Sequence, residues 1–199
     1  MQRKNRDLSQ EQLLKTITSL LEKAHIPYMV TGALSVIFYG RPRASHDIDF
    51  VIEAEEKNIP LLVSTFSKLP NQEFIVDPHL IRDAVKRKYM FNLLHLPTML
   101  KLDFFLLESD EFDKSRFQRR KTYKVFGQKM TFASPEDTIL IKLLWYKDTK
   151  IEKHLIDAAF IYQIQEKQLD KTYLRSWTKK HNTESLLKEL KKINLQMYY

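Results

Sequence analysis

The 199-residue sequence contains no cysteine, only three glycines and no long apolar run. Without cysteine, disulfide frameworks, thiolate metal sites and cysteine nucleophiles are excluded. No apolar stretch approaches the roughly 18 residues that a membrane-spanning helix needs. The polar residues 1–6 lead directly into an amphipathic segment, which is unlike a signal peptide. We therefore expect no membrane association and a cytoplasmic location.

Three further kinds of site are missing. The six histidines are scattered without the spacing of zinc ligands. The sequence also lacks a Gly-x-Ser-x-Gly nucleophile elbow and a phosphate loop of the Walker type. These absences argue against a zinc enzyme, an elbow-type serine hydrolase and a protein that binds nucleotides through a Walker loop.

Basic residues are in excess, with 33 Lys and Arg against 25 Asp and Glu and a formal net charge of +8. Such a balance favours contact with a polyanion such as RNA, or with nucleotides. A Lys-rich composition typical of AT-rich genomes gives the same charge. The excess of basic residues therefore reflects either a polyanionic partner or genome composition alone. Two basic segments share this ambiguity. Residues 78–88 either flank a groove that binds nucleic acid or form a solvated face. Residues 114–121 either belong to an aromatic and basic surface that binds nucleic acid, or their neighbouring aromatic side chains pack inward.

Local patterns predict helices and strands through most of the chain. Ser9 and Ser134 have the sequence context of helix N-caps, and the Ser9 segment forms a capping box. Two antiparallel segments are predicted at 89–96 and 101–107, and a hairpin at 123–126 and 129–133. The acidic stretch between Glu108 and Asp113 is predicted to be a loop.

Asp47 and Asp49 begin a segment whose apolar residues, 50–52, predict a β-strand. Side chains two residues apart share one face of a strand, so the two carboxylates project together. They repel each other unless a cation lies between them, and hard oxygen ligands of this kind suit Mg²⁺. The pair alone is weak evidence, because acidic pairs at this spacing also arise by chance.

Gly32 lies between an apolar strand and a short apolar helix, where it predicts a tight turn. Glycine at a helix N-terminus lets a phosphate approach the backbone N–H groups, and the helix dipole favours the anion. Ser35 adds a hydroxyl donor in the first turn. Arg41 and Arg43 follow in a loop, and their guanidinium groups suit phosphate recognition. The segment therefore predicts a phosphate-binding turn next to the acidic strand.

A third acid, Asp103, lies within the apolar segment Lys101–Leu107. A lone carboxylate in so apolar a strand is costly to bury unless it is paired or bound to metal. If this strand lies beside the strand of residues 47–52, Asp103 completes a site of three carboxylates. Later, Asp157 also lies among apolar residues, where it is either paired with a basic partner or facing the cleft.

The chain resembles the nucleotidyltransferase superfamily, which has the fold of polymerase beta and the aminoglycoside nucleotidyltransferases. Three segments resemble its signature elements: Gly32-Ala33, Asp47-Ile48-Asp49 and Leu102-Asp103-Phe104. The segments GRPRASHDID and SPEDTILIKL are similar to those of its minimal and AbiEii-like branches in bacteria and archaea. The resemblance spans roughly residues 26–159. Ala33 departs from the pattern, because a second glycine or a serine is usual there.

The resemblance implies an α+β nucleotidyltransferase fold, with a mixed β-sheet flanked by helices and a C-terminal helical appendage. From the order of the predicted elements we expect a catalytic core over residues 1–133 and a helical region over 134–199 packed on it. The resemblance also implies that Asp47 and Asp49 bind Mg²⁺ or Mn²⁺, with Asp103 as a further ligand or the general base. The residues implied to bind a nucleoside triphosphate are Gly32, Ala33, Ser35, Arg41, Arg43 and Lys142. For Lys142, a position at the surface is the alternative.

The implied activity is transfer of a nucleoside monophosphate from the triphosphate to a hydroxyl of tRNA, a protein or a small molecule, in a toxin-type enzyme. The alternative is a catalytically silent protein of this fold that binds nucleic acid or a toxin–antitoxin partner, which Ala33 keeps open. The partners implied are a nucleoside triphosphate, RNA such as tRNA, and a cognate antitoxin-like protein.

Overall fold

A mixed β-sheet forms the centre of the protein in the computed structural model, which describes residues 9–198. The seven strands within that range are β1 (Tyr28–Thr31), β2 (Asp47–Ile52), β3 (Phe74–Ile75), β4 (Met90–His95), β5 (Leu100–Leu106), β6 (Lys121–Val125) and β7 (Gln128–Phe132). Their order in the sheet is β3-β4-β5-β2-β1-β7-β6. The predicted antiparallel pair is β4 with β5, and the predicted hairpin, β6 with β7, forms one edge. Both predictions are confirmed.

Helices flank the sheet, as expected for an α+β fold. Within residues 9–198 they are α1 (Gln10–Lys23), α2 (Gly32–Tyr39), α3 (Ile59–Phe66), α4 (Pro78–Arg87), α5 (Glu111–Gln118), α6 (Pro135–Thr149), α7 (Glu152–Ile164), α8 (Lys171–His181) and α9 (Glu184–Glu189). The capping box of α1 is present, with Ser9 and Gln12 bonded reciprocally. In this part of the chain, no helix has both the length and the apolar composition needed to cross a membrane.

The central strands carry the main core on one face. Ile48, Phe50 and Ile52 of β2 are fully buried and belong to a cluster that includes the apolar sides of α1, α3 and α4. Phe104 of β5 stacks on Phe50 of β2 and on Phe91 of β4, with ring centroids 5.0 Å apart in each pair. Because side chains alternate along a strand, this packing directs the residues between them to the opposite face.

A second core joins the C-terminal helices to the sheet through α2. Val36 and Tyr39 of α2 pack with Ile139 and Leu143 of α6 and with buried residues of α7 and α8. Ser134 caps α6 through the backbone N–H of Asp137, as predicted. This core spans the boundary at residues 133 and 134, so the division into two regions at that point stays a prediction.

The loop predicted for residues 108–113 is wrong in its second half, because α5 begins at Glu111. The carboxylate of Asp110 accepts hydrogen bonds from the backbone N–H groups of Phe112 and Asp113, at 2.9 and 3.0 Å, and caps the helix. An acid at this position is an ordinary N-cap signal. It was obscured by the run of neighbouring acids.

Candidate active site

The three predicted acids lie on one face of the sheet, opposite the aromatic core. Strand β2 pairs with β5 in parallel, and the register sets Asp49 opposite Asp103 and Asp47 opposite Lys101. The predicted adjacency of the two strands is therefore confirmed. Asp47 is exposed, Asp49 is partly buried and Asp103 is buried. The three side chains form one acidic patch, which we call the acid face.

Gly32 lies against this acid face, at the point where β1 turns into α2. Its φ angle is +61°, and a Cβ atom placed there would lie 1.8 Å from Oδ2 of Asp49. Only glycine accepts both the left-handed backbone and the close carboxylate. The carboxylate of Asp49 also faces the backbone N–H of Ala33, in the first turn of α2. The glycine thus brings the helix N-terminus and the acidic strand together.

The pKa of Asp49 is raised from 3.8 to about 6, first by burial and then by the negative charges of Asp103 and Asp47. The Ala33 N–H and the charge of Lys142 oppose this shift. A carboxyl whose ionisation is hindered by burial and by like charges gains from a nearby cation. The electrostatics of the acid face therefore favour a bound cation.

Asp103 has one satisfied and one unsatisfied carboxylate oxygen. Lys101 Nζ lies 2.9 Å from its Oδ2, whereas its buried Oδ1 has no hydrogen-bond partner. Within residues 9–198, no three acidic or histidine side chains converge closely enough to hold a metal ion by themselves. The oxygen donors nevertheless fit Mg²⁺ or Mn²⁺ in type. The unpartnered Oδ1 is an acceptor that such a cation would satisfy.

Arg43 and Lys142 meet at Asp157, close to the acid face. Arg43 donates to both Asp157 oxygens, at 3.2 and 3.0 Å, and Lys142 Nζ lies 3.0 Å from Oδ2. Asp157 is fully buried, and the Arg43 and Lys142 side chains are 12% and 4% exposed. Lys142 is therefore buried rather than at the surface, and Asp157 is paired rather than facing the cleft without a partner. We call these three residues the charge cluster.

The structure does not bring Ser35 or the Arg41 head group into the acid face. The Ser35 hydroxyl is buried and donates to the Val30 carbonyl at 3.0 Å. The Arg41 guanidinium lies over the Phe160 ring, 4.4 Å from its centroid, and donates to the Tyr198 carbonyl. Helix α2 is apolar on nearly all sides, which is a sequence signal that Ser35 would point inward.

Sequence reasoning missed two parts of the site. Lys101 lies two residues before Asp103, so the i, i+2 rule applied to the aspartates also predicts its position. The second part is a cavity of about 290 Å³ next to Asp49, for which the sequence contains no comparable local pattern. Tyr89, Phe105 and Trp145, which line it, come from three separate segments that only the fold brings together.

The family described as "Nucleotidyl transferase AbiEii toxin, Type IV TA system" matches residues 30–197. The chain belongs to the AbiEii nucleotidyltransferase family. The match covers the acid face, the charge cluster and the C-terminal helices of this AbiEii-family protein. A search of curated proteins found no match.

Solved structures confirm the nucleotidyltransferase fold. An antigenic nucleotidyltransferase-like protein from Paracoccidioides brasiliensis is 19% identical, with a TM-score of 0.54 over 92% of this chain and 94% of that one. The antibiotic-resistance factor ANT(2'')-Ia is 12% identical, with a TM-score of 0.61 over 92% and 96%. The lincosamide antibiotic adenylyltransferase LnuA is 13% identical, with a TM-score of 0.51 over 79% and 98%.

Gly32→Ala should destabilise the protein more than Gly127→Ala. Both glycines have positive φ angles, +61° and +83°, but a Cβ at Gly127 meets nothing within 4 Å. Gly127→Ala should therefore cost only the left-handed backbone strain, about 1–2 kcal/mol. Gly32→Ala adds the collision with Asp49, and Asp49→Ala removes the two closest atoms. In a double-mutant cycle measured by urea unfolding, Gly32→Ala should cost much less stability in the Asp49→Ala background than in the natural chain. Equal costs of Gly32→Ala in both backgrounds would contradict this.

The free energy of unfolding without metal should depend on pH through Asp49. The folded state holds this proton more tightly than the unfolded chain, because the pKa of Asp49 is about 6 in place of 3.8. Stability should therefore fall as pH rises from about 4 to 6, by up to about 3 kcal/mol. Urea unfolding across this range compares the natural chain with Asp49→Asn, which should lose that part of the slope. Parallel profiles would show that Asp49 does not titrate abnormally.

Asp157→Asn should cost about 3–5 kcal/mol of stability, because it leaves two buried cations without a carboxylate. The matched control is Asp148→Asn, an exposed position on α6. We expect that control to change stability by no more than about 0.5 kcal/mol. Urea unfolding measures both, and a cost for Asp157→Asn as small as that of the control would mean that the charge cluster is solvated.

Proposed function

We propose that this AbiEii-family protein transfers a nucleoside monophosphate from a nucleoside triphosphate to a hydroxyl group, with a divalent metal ion. The observation that carries the proposal is the placement of Asp47, Asp49 and Asp103 on one face of the sheet, beside the N-terminus of α2. Three carboxylates next to a helix N-terminus and a basic cluster suit a metal–phosphate complex.

The acid face would hold the cation through Asp47 and Asp49. Bound there, Mg²⁺ or Mn²⁺ supplies positive charge that neutralises the phosphates and polarises the reacting centre. The charge cluster contains two cations and one carboxylate, so it keeps one net positive charge for the phosphate tail. The backbone N–H of Ala33, directly after Gly32, faces Asp49 in the same region.

In the proposed reaction, the acceptor oxygen attacks the α-phosphorus in line and forms a new O–P bond. The bond from the α-phosphorus to the bridging oxygen breaks, and pyrophosphate leaves. Asp103 either takes the proton of the attacking hydroxyl or completes the ligand set, and its unpartnered Oδ1 suits both roles. Ala33 supplies no hydroxyl, so phosphate contacts at this turn come from the backbone.

The acceptor we favour is RNA such as tRNA, because the chain has a net charge of +8. Protein and small-molecule acceptors are the competing classes, since ANT(2'')-Ia has been solved in complex with adenylyl-2''-tobramycin and LnuA with lincomycin bound. We place the activity in the cytoplasm, under control of a cognate antitoxin, in line with the family's toxin–antitoxin description.

One observation favours a catalytically silent alternative. Lys101 already neutralises Asp103, and the described residues contain no closed group of three metal ligands. A protein of this kind would bind nucleic acid or a partner without using the acid face for catalysis. Metal-dependent nucleotide binding separates the two functions.

Each nucleoside triphosphate should raise the melting temperature only when Mg²⁺ or Mn²⁺ is present. At a nucleotide concentration 100 times the Kd, binding adds about 2.7 kcal/mol to stability. Asp47→Asn should abolish this stabilisation, because it removes a proposed metal ligand. The control Asp83→Asn, an exposed acid on α4, should retain it.

Transfer is then assayed with α-phosphate-labelled nucleotide and total RNA, protein or small-molecule extracts as acceptors. Labelled product that requires Asp47 supports the enzyme. The absence of any melting shift in the natural chain, up to millimolar nucleotide with metal, would contradict the proposal and favour the silent alternative.

A further inference from the structure

The cavity next to Asp49 is lined by apolar and aromatic side chains as well as by charged ones. Val51 and Phe105 are register partners on β2 and β5, and both line it. Tyr89 and Trp145 line it as well. The exposed fractions of Tyr89, Phe105 and Trp145 are 71%, 39% and 39%. Three exposed aromatic rings around one cavity offer flat surfaces on which a planar ring can stack. Lys142 Nζ lies over the Trp145 ring, 4.9 Å from its centroid, so the opposite face of that ring is the one open to stacking. We call this cavity the aromatic slot.

A partly buried ion pair contributes to the lining of the slot. Arg116 Nε lies 2.5 Å from Oδ1 of Asp113, and Asp113 Oδ2 accepts a hydrogen bond from the Glu108 N–H at 2.9 Å. Glu108, Asp113, Arg116 and Asp49 all line the slot. Three carboxylates against one guanidinium make the slot unfavourable for a phosphate. The electrostatics therefore favour an uncharged ring over an anion.

The volume of about 290 Å³ also limits the occupant. Pockets for drug-sized ligands span about 300–1,000 Å³. A space at the lower limit suits one heterocycle better than a multi-ring acceptor. Shape, charge and size thus agree on a single planar, uncharged ring.

Helix α6 links the slot to the proposed phosphate region. Ile141 and Trp145, one turn apart, line the slot, while Lys142 between them belongs to the charge cluster. The same helix therefore faces both the slot and the cations. A nucleotide whose phosphates lie near Lys142 and the acid face would have its base within reach of Trp145.

We propose that the aromatic slot binds the nucleobase of the donor nucleoside triphosphate, stacked against Trp145 and Phe105. This inference rests on the proposed function and adds the part of the site that recognises the base. It also implies that the acceptor enters from outside the slot.

Binding of nucleoside triphosphates should be compared with binding of inorganic tripolyphosphate, which has no base, both in the presence of Mg²⁺. Phe105→Ala and Trp145→Leu should each weaken nucleotide binding about tenfold, since base stacking on one aromatic side chain is worth about 1–3 kcal/mol. Tripolyphosphate binding should not change. Isothermal titration calorimetry measures both ligands.

Two controls separate stacking from misfolding. Trp145→Phe keeps an aromatic face and should bind nucleotide nearly as tightly as the natural chain. Phe126→Ala removes a ring that is 49% exposed in the β6–β7 turn, outside the slot, and should bind both ligands normally. Melting temperatures show whether each variant is folded.

Tryptophan fluorescence gives a direct readout of the slot. The chain has two tryptophans, and Trp177 is buried against Phe112 and His181. In a Trp177→Phe background, nucleotide should quench the remaining Trp145 emission, whereas tripolyphosphate should leave it unchanged. In the reciprocal Trp145→Phe variant, nucleotide should leave the Trp177 emission unchanged.

The outcomes distinguish this inference from the proposed function. If the natural chain binds both ligands and the slot variants weaken neither, the proposed function stands and the inference is wrong. Equal weakening of both ligands also overturns it. If the slot variants bind nucleotide normally but transfer less to RNA, the slot binds a base of the acceptor and the inference is wrong. If the natural chain binds neither ligand, the proposed function fails, and this inference fails with it.

Discussion

The parallel pairing of β2 with β5 is the interaction on which both the core and the site depend. Its register stacks Phe50 on Phe104 on one face and sets Asp49 opposite Asp103 on the other. A slip of one residue in either strand would turn carboxylates into the aromatic core, at a cost that burial of unpaired charge makes prohibitive. Hydrophobic packing thus specifies the position of the acids without any contact to them.

The basic part of the site depends on a different constraint, which is the neutralisation of buried charge. Asp157 on α7 holds Arg43 from the loop before β2 and Lys142 from α6. Each of the three would be costly to bury alone, so the loop and the two helices are fixed relative to one another. The C-terminal helices are therefore part of the candidate site, although they contribute none of its acids.

Local sequence patterns were sufficient for the strands, most helices and the acid face, because alternation along a strand determines which side chains share a face. They were insufficient wherever the outcome depends on distant segments. The direction of the Arg41 head group depends on Phe160 and Tyr198, and the slot requires three segments that are far apart in sequence. The cap of α5 is a different case, because Asp110 was a local signal that neighbouring acids concealed.

The charge cluster also bears on the entropy that would be lost when a phosphate binds. Long basic side chains at a protein surface usually lose rotamer freedom when they bind an anion, which reduces affinity. Here Arg43 and Lys142 are already immobilised by Asp157, so that entropy has been lost during folding. A phosphate bound at the charge cluster would meet donors that are already held in place, and discrimination among anions would depend on shape rather than on the adaptability of the side chains.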